Sequence, residues 1–308
     1  MGVMTSSHTS AGPVVVTGAN GLVGSRVCAA LSARGATVRA VVRRAGTAPV
    51  LPGLTERVGD FADPDFAATA VAGAGAVVTT VHPMGEDGET QRRVGLDGTL
   101  VLAGAAAAAG VERLVHLSTA AVYDRAPGRG DVDEHGELVT DDAGDYPVVK
   151  RDVDAALAGV DGLTRVLLRP PAILGSSSSS VWNSLRPARM REDEAARHAV
   201  PEATFAWVHV EDLAALAADL AVGVVRSSED PEAGPVAGGC TAVNVASAPA
   251  TQRDYYGAVT NALGVQPVWD DGPGWTGQIV ADRARRWGWA PTVGLDQALA
   301  EIEAGLTH

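Results

Sequence analysis

The chain has 308 residues, a net charge of −13 and 46% apolar residues, enough for a large α/β unit with a smaller annex and a real hydrophobic core. Its acidic balance excludes nucleic acid and an anionic membrane surface as main partners, and no apolar run reaches the ~18 residues that cross a bilayer. Aromatic residues make up only 4%, so the interior must be built from Ala, Val and Leu.

Residues 13–17, Pro-Val-Val-Val-Thr, are a β-branched run ending in glycine, the pattern of a buried strand. A helix is predicted over 22–34, stopped by Gly35. Residues 37–42 make a second strand, 57–58 a weak third, 65–71 a short helix and 76–81 a fourth strand. An alanine-rich helix follows over 95–109, then a fifth strand over 112–117 and an acidic loop over 124–145. A helix over 146–157 carries Pro147 in its first turn, where proline is tolerated, and 164–168 is a sixth strand. This alternation predicts an α/β fold with a Rossmann-type doubly wound parallel sheet. Beyond Arg169-Pro170-Pro171 the regularity weakens. The run Ser176-Ser177-Ser178-Ser179-Ser180 reads as a flexible loop. Strands at 205–210 and 242–245 and helices at 212–220, 251–263, 280–287 and 295–305 complete the chain.

Between the first strand and the first helix stands Thr17-Gly18-Ala19-Asn20-Gly21-Leu22-Val23-Gly24. Gly18 permits a tight turn, Gly21 lets backbone approach a pyrophosphate, and Gly24 lets helix and strand pack closely. The helix N-terminus then offers its N–H groups to the anion. A carboxylate about 20 residues beyond such glycines holds a free ribose 2′-hydroxyl. Here that stretch reads Val41-Val42-Arg43-Arg44, and no Asp or Glu precedes Glu56. The missing acid and the two guanidiniums favour NADP(H) over NAD(H).

Lys150 is the chain's one lysine, and Tyr146 precedes it by four residues; every other Lys/Arg position is arginine. On a helix the two side chains share a face. The ammonium can lower the phenol pKa and so ready the tyrosine to exchange a proton with a carbonyl/alcohol pair. Arginine, permanently charged and forked, does not substitute for it. Asp131, Asp133, Glu134, Asp141 and Asp142 fit no metal-binding loop and read as solvated, so no metal is expected. Cys28 and Cys240 lack metal or CxxC spacing and read as small buried residues in a reducing cytoplasm. Segment 1–12 has no signal-peptide regions and is expected to be flexible, and the protein to be cytoplasmic.

Over roughly 14–306 the chain resembles the extended short-chain dehydrogenases/reductases of the NAD(P)-dependent epimerase/dehydratase type. The resemblance rests on TGANGLVG, on Gly59-Asp60, and on Ser118-Thr119-Ala120-Ala121-Val122-Tyr123. Further matches are Tyr146-Pro147-Val148-Val149-Lys150, Leu168-Arg169-Pro170, the segment 207–214 (WVHVEDLA) and 282–291 (DRARRWGWAP). It implies a catalytic set of Thr119, Tyr146 and Lys150. It also implies cofactor contacts at Gly18, Asn20, Gly21, Leu22, Val23, Gly24, Arg43, Arg44, Asp60, Phe61, Thr80, Val81, Tyr146, Lys150, Pro170 and Ile173. His82, Ser118, Trp182 and Trp207 are the candidates for substrate contact, and His209 reads as a packed core residue.

Residues 13–175, with 205–222 returning, are expected to form the NAD(P)-binding domain, and 176–204 with 223–308 the smaller substrate lobe. Stretch 175–204 is short where relatives that seat a nucleotide-sugar carry an insertion, which favours a smaller substrate. The stretch Val77 to His82 also departs from the family's pattern. The expected activity is hydride transfer between nicotinamide and a small carbonyl or alcohol, in the reducing direction, within secondary metabolism. The alternatives are an epimerase or dehydratase with transient internal redox, and a non-catalytic NAD(P)-binding sensor. By the same resemblance the alanine-rich helix and the Tyr146 helix would pair in a homodimer.

Overall fold

The computed structural model describes residues 12–83 and 85–307; apart from Gly12, the N-terminal segment expected to be flexible lies outside them. Its first strands and helices are β1 (Val14–Thr17), α1 (Leu22–Ala33), β2 (Val38–Val42), β3 (Leu54–Val58), α2 (Pro64–Val71) and β4 (Ala76–Thr79). Then come α3 (Gly88–Gln91), α4 (Gly98–Ala108), β5 (Arg113–Leu117), α5 (Asp145–Ala158), β6 (Thr164–Arg169) and β7 (Ala172–Leu174). The remainder holds α6 (Arg186–Glu192), the short β8 (His198–Ala199) and β9 (Thr204–Phe205), β10 (Trp207–His209) and α7 (Val210–Ala221). After these follow β11 (Cys240–Asn244), β12 (Ala250–Thr251), α8 (Gln252–Leu263), β13 (Val268–Trp269), α9 (Asp282–Arg286) and α10 (Leu295–Leu306).

Seven strands form the main sheet in the order β11-β6-β5-β4-β1-β2-β3. β1 pairs in parallel with β2 on one side and β4 on the other, so the strand order reverses beside β1. In doubly wound sheets ligands bind at that switch point, outside the C-terminal strand ends. β1 and β4 are buried on both faces and β3 is largely exposed, which is why the former read as apolar runs and the latter only as a weak strand.

The chain divides into two compact units. The first runs through Leu117 and adds Asp152–Leu167 and Ala214–Thr241. It holds α1, which buries Val23, Val27, Cys28 and Leu31, and α2, started by Pro64 and by Asp63 accepting the Phe66 N–H at 2.9 Å. Burial pushes the Cys28 thiol up to about 12, leaving it inert. The helix predicted from residue 95 begins earlier: α3 runs into a π-turn over Arg92–Asp97 and then into α4. Asp87 starts it by accepting the Thr90 N–H at 2.7 Å. A polar first turn hides such a start from an apolar-periodicity reading.

The second unit comprises Ser118–Arg151, Leu168–Leu213 and Ala242–His308. Its core gathers Leu174, Met190, Phe205, Trp207, Tyr255, Val259 and Ile302, with Phe205 and Tyr255 stacked at 4.4 Å. α8 has a full capping box, Thr251 with Asp254, and ends at Gly264 with φ 69°. The serine run lies in a loop, as its composition predicts, and its last member starts the next helical turn. Ser180 is fully buried and accepts the Asn183 N–H at 3.1 Å, and Ser184 donates to Ser177 O at 2.8 Å. Serine composition signals a loop, but the same hydroxyls serve as helix caps. The helix predicted over 280–287 is reduced to α9. Asp212 ties two motifs together: its carboxylate accepts the Thr292 N–H at 2.9 Å, the Thr292 hydroxyl at 2.6 Å and the Val293 N–H at 3.2 Å.

Candidate active site

In the first unit the glycine turn is dictated by contact. Gly18 has φ 65°, and a Cβ there would lie 2.8 Å from Thr80 Oγ1; a Cβ on Gly24 would lie 2.1 Å from Gly18 O. Gly21 N–H donates to Gly18 O at 2.9 Å, and Thr80 Oγ1 donates to Thr17 O at 2.7 Å. Helix α1 follows with Gly21 as N-cap, no side-chain cap and no acid in its first turn, over Leu22, Val23 and Gly24. The positive helix end therefore meets no carboxylate of its own, a cradle suited to a diphosphate.

Arg43 and Arg44 are exposed on the loop leaving β2. Glu56 shapes that loop, its two carboxylate oxygens accepting the N–H groups of Gly46 at 2.9 Å and Ala48 at 3.0 Å. These backbone donors, Gly46 foremost, hold the Glu56 carboxyl below the usual carboxylate range. Thr47 donates to Arg44 O at 2.7 Å and accepts from Asn20 Nδ2 at 3.4 Å. The first acid beyond the glycines is thus engaged by backbone. Asp60 is exposed and accepts the Ala62 N–H at 3.0 Å. Phe61 is buried, packed where a Cβ on Gly98 would lie 3.0 Å from its ring. Val81 and His82 are half-buried, His82 Nε2 lying 3.1 Å from Gln91 Oε1.

In the second unit Thr119 is buried and starts the 3₁₀ turn Ala120–Val122. Its hydroxyl accepts the Ala121 N–H at 3.1 Å and donates to Pro170 O at 3.4 Å. Ser118 N–H donates to Leu168 O at 2.8 Å, while Ser118 Oγ is buried without a hydrogen-bond partner among the described residues. Tyr146 and Lys150 both lie on α5, Tyr146 half-buried and Lys150 only 4% exposed. Pro170 is buried and Ile173 half-buried on β7. Trp207 is core, its indole N–H donating to Ala248 O at 3.0 Å. Trp182 packs edge-on against Phe205 at 5.2 Å and Tyr255 at 5.4 Å. His209 is buried with Nε2 3.1 Å from Glu301 Oε2.

Three features have roles that the sequence reading did not assign, although Tyr123 and Asp212 lie within motifs it quoted. Tyr123 donates to Asn244 Oδ1 at 2.9 Å and accepts from Arg169 at 2.8 Å. Asp212 clamps 292–293. Arg125, two residues past Val122-Tyr123, lies over the Trp275 ring with its guanidinium carbon 5.7 Å from the centroid. Its place directly after a motif was the one available pointer. Among the described residues no group of His, Cys, Asp and Glu could hold a metal ion, and no helix is long and apolar enough to cross a membrane.

A family described as NAD(P)H-binding matches residues 18–222. The chain is 31% identical over 192 residues to a 3 beta-hydroxysteroid dehydrogenase/Delta 5-->4-isomerase of Mycobacterium tuberculosis, covering 58% of this chain and 52% of that protein. It is 31% identical over 205 residues to a 4-hydroxy-2-methyl-3-oxo-4-farnesyl-3,4-dihydroquinoline-1-oxide ketoreductase of Stigmatella aurantiaca, covering 59% and 58%. The chain thus spans little more than half the length of these curated relatives. Among solved structures it is similar to the Bordetella bronchiseptica enzyme WbmG in complex with NAD, with TM-score 0.73, 20% identity, and 98% and 95% of the two chains covered. That likeness carries the fold.

Proposed function

The chain belongs to the NAD(P)H-binding extended short-chain dehydrogenases/reductases of the epimerase/dehydratase type, and from that premise we propose that it is an NADPH-dependent reductase of a small ketone or aldehyde. The observation that carries the reading is Lys150, the one lysine of the chain, buried to 4% exposure a helical turn beyond Tyr146. Burying an ammonium is costly, and arginine serves at every other Lys/Arg position; a role in proton chemistry accounts for both.

The residues present fit a dinucleotide. The Gly18–Gly24 turn closes tightly on itself, since a Cβ at Gly18 or Gly24 would collide with Thr80 or with the Gly18 backbone, and the uncapped start of α1 suits a pyrophosphate. Arg43 and Arg44 suit a 2′-phosphate, and Glu56, engaged by Gly46 and Ala48, does not oppose it by taking a ribose hydroxyl. When bound, the nicotinamide supplies the hydride. Tyr146 gives its phenolic proton to the substrate oxygen as negative charge develops there, and Thr119 donates a hydrogen bond to the same oxygen. For that the Thr119 hydroxyl turns from Pro170 O, a long 3.4 Å contact, while keeping the Ala121 N–H. Lys150 keeps the phenol acidic and binds ribose hydroxyls. The ketoreductase and hydroxysteroid dehydrogenase relatives support a carbonyl/alcohol substrate, and the short 175–204 stretch supports one smaller than a nucleotide-sugar.

The test pairs nucleotide binding with turnover. Wild-type protein should bind NADPH reversibly and more tightly than NADH, and reduce carbonyl compounds. Tyr146→Phe should lower kcat by ~10²–10⁴ while leaving the NADPH Kd unchanged. Stoichiometric NAD released on denaturing freshly purified protein would favour an epimerase or dehydratase instead. An active Phe variant would remove Tyr146 from its role.

A further inference from the structure

In the acidic loop after Tyr123 most carboxylates already have partners, some within the loop and some outside it. Arg129 takes Asp124 at 2.7 Å and Glu137 at 2.7 Å. Asp131 accepts the N–H at 3.1 Å and the side-chain amide at 2.8 Å of Gln278. Glu134 accepts the Asn244 N–H at 2.9 Å and Asp133 the His135 N–H at 2.9 Å. Arg125, in the same stretch of sequence, pairs with none of them. Among the described residues it makes no hydrogen bond and no ion pair, and its guanidinium lies over the Trp275 ring.

That ring is a fixed platform. Trp275 is 7% exposed; its indole N–H donates to Gly130 O at 3.0 Å and its carbonyl accepts the Thr204 N–H at 2.8 Å. A guanidinium lying over an indole keeps its in-plane N–H donors free for a planar acceptor. Burial lowers the Arg125 pKa, the mark of a cation taken partly out of water with no counter-charge supplied by the chain. The residue follows Thr119 by six positions in the same compact unit. Tyr123, two positions earlier, is pinned by Arg169 and Asn244, so the loop leaves the strand from a fixed point.

We propose that Arg125, stacked on Trp275, is a substrate-binding residue that receives a carboxylate, so that the preferred ketones are keto acids. The proposal rests on the reductase reading for its reaction, though not for its binding. The guanidinium pairs in two-point fashion with the carboxylate while Tyr146 and Thr119 address the carbonyl.

The test compares 4-acetylbenzoate with its methyl ester, following NADPH consumption by wild type, Arg125→Gln and Arg125→Lys. Calorimetry of 4-acetylbenzoate on the NADPH-saturated proteins gives a readout independent of turnover. Wild type should prefer the acid by roughly ten- to a hundredfold in kcat/KM. Arg125→Gln should erase that preference through KM, with the NADPH Kd unchanged, and Arg125→Lys should restore part of it. If neither ketone is reduced but 4-acetylbenzoate binds in an Arg125-dependent way, the anion site stands and the reductase reading falls. If the ester is reduced while the acid is neither preferred nor bound through Arg125, the site falls and the reductase reading stands. Equal loss for acid and ester in Arg125→Gln, or absent binding, also overturns it.

Discussion

Arg169 donates to the Tyr123 hydroxyl at 2.8 Å while its guanidinium carbon lies 5.0 Å from the centroid of the same ring. One residue of the Leu168-Arg169-Pro170 step thus holds one residue of the Val122-Tyr123 step by both its edge and its face. The phenol donates onward to Asn244 Oδ1 at 2.9 Å, and Asn244 Nδ2 donates to Val132 O and Val280 O at 3.4 and 3.1 Å. Two residues from separate sequence motifs are thus joined in one buried hydrogen-bonded scaffold.

Tyr123→Phe should therefore destabilise the protein. It removes the phenol's hydrogen bond to Asn244 Oδ1 and its acceptance from Arg169, at a cost of about 1–3 kcal/mol. The expected reading is a lowered urea midpoint with unchanged m, with the NADPH Kd near the wild-type value. A neutral result would show that water replaces the phenol.

Gly24→Ala meets backbone, since the new Cβ would stand 2.1 Å from Gly18 O and 2.7 Å from Gly18 C. The turn must open, and overpacking of this kind typically costs about 1–3 kcal/mol. Calorimetry should show NADPH affinity reduced at least ~10-fold, each such step being about 1.4 kcal/mol. Retained affinity with an intact fold would mean the turn has slack that the contact distances deny.

The Glu56 clasp predicts a pH dependence. Its carboxyl pKa is lower in the folded chain than unfolded, so the clasp contributes above the ordinary glutamate range and is lost as pH falls through the depressed folded value. Amide exchange at Gly46 and Ala48 should accelerate over that acid window in wild type, and be fast and pH-shifted in no such way in Glu56→Gln. NADPH affinity should weaken with it if loop 43–48 carries the 2′-phosphate contact. Identical exchange profiles in the two proteins would remove the clasp.

The order of the strands and helices was legible because apolar runs, the glycine spacing and the i,i+4 placement of Tyr146 and Lys150 are local patterns with local causes. The seven-stranded order with its reversal beside β1 follows that legible alternation. Where reading fell short, the polar start of the helix at Gly88 hid its beginning, and the loop serines gave no sign that Ser180 also caps the turn that follows.

By itself the sequence determined the dinucleotide cradle, the absence of an acid before Glu56 and the uniqueness of Lys150, since each is a matter of which residue stands at which spacing. Only the tertiary structure decided which carboxylates are occupied. Asp212 is taken by 292–293, Glu56 by the β2 loop, and Asp124 with Glu137 by Arg129, while Arg125 is left on Trp275. Charge pairing depends on distance in space, and a loop dense in acids offers many pairings of equal sequence merit until folding selects one set.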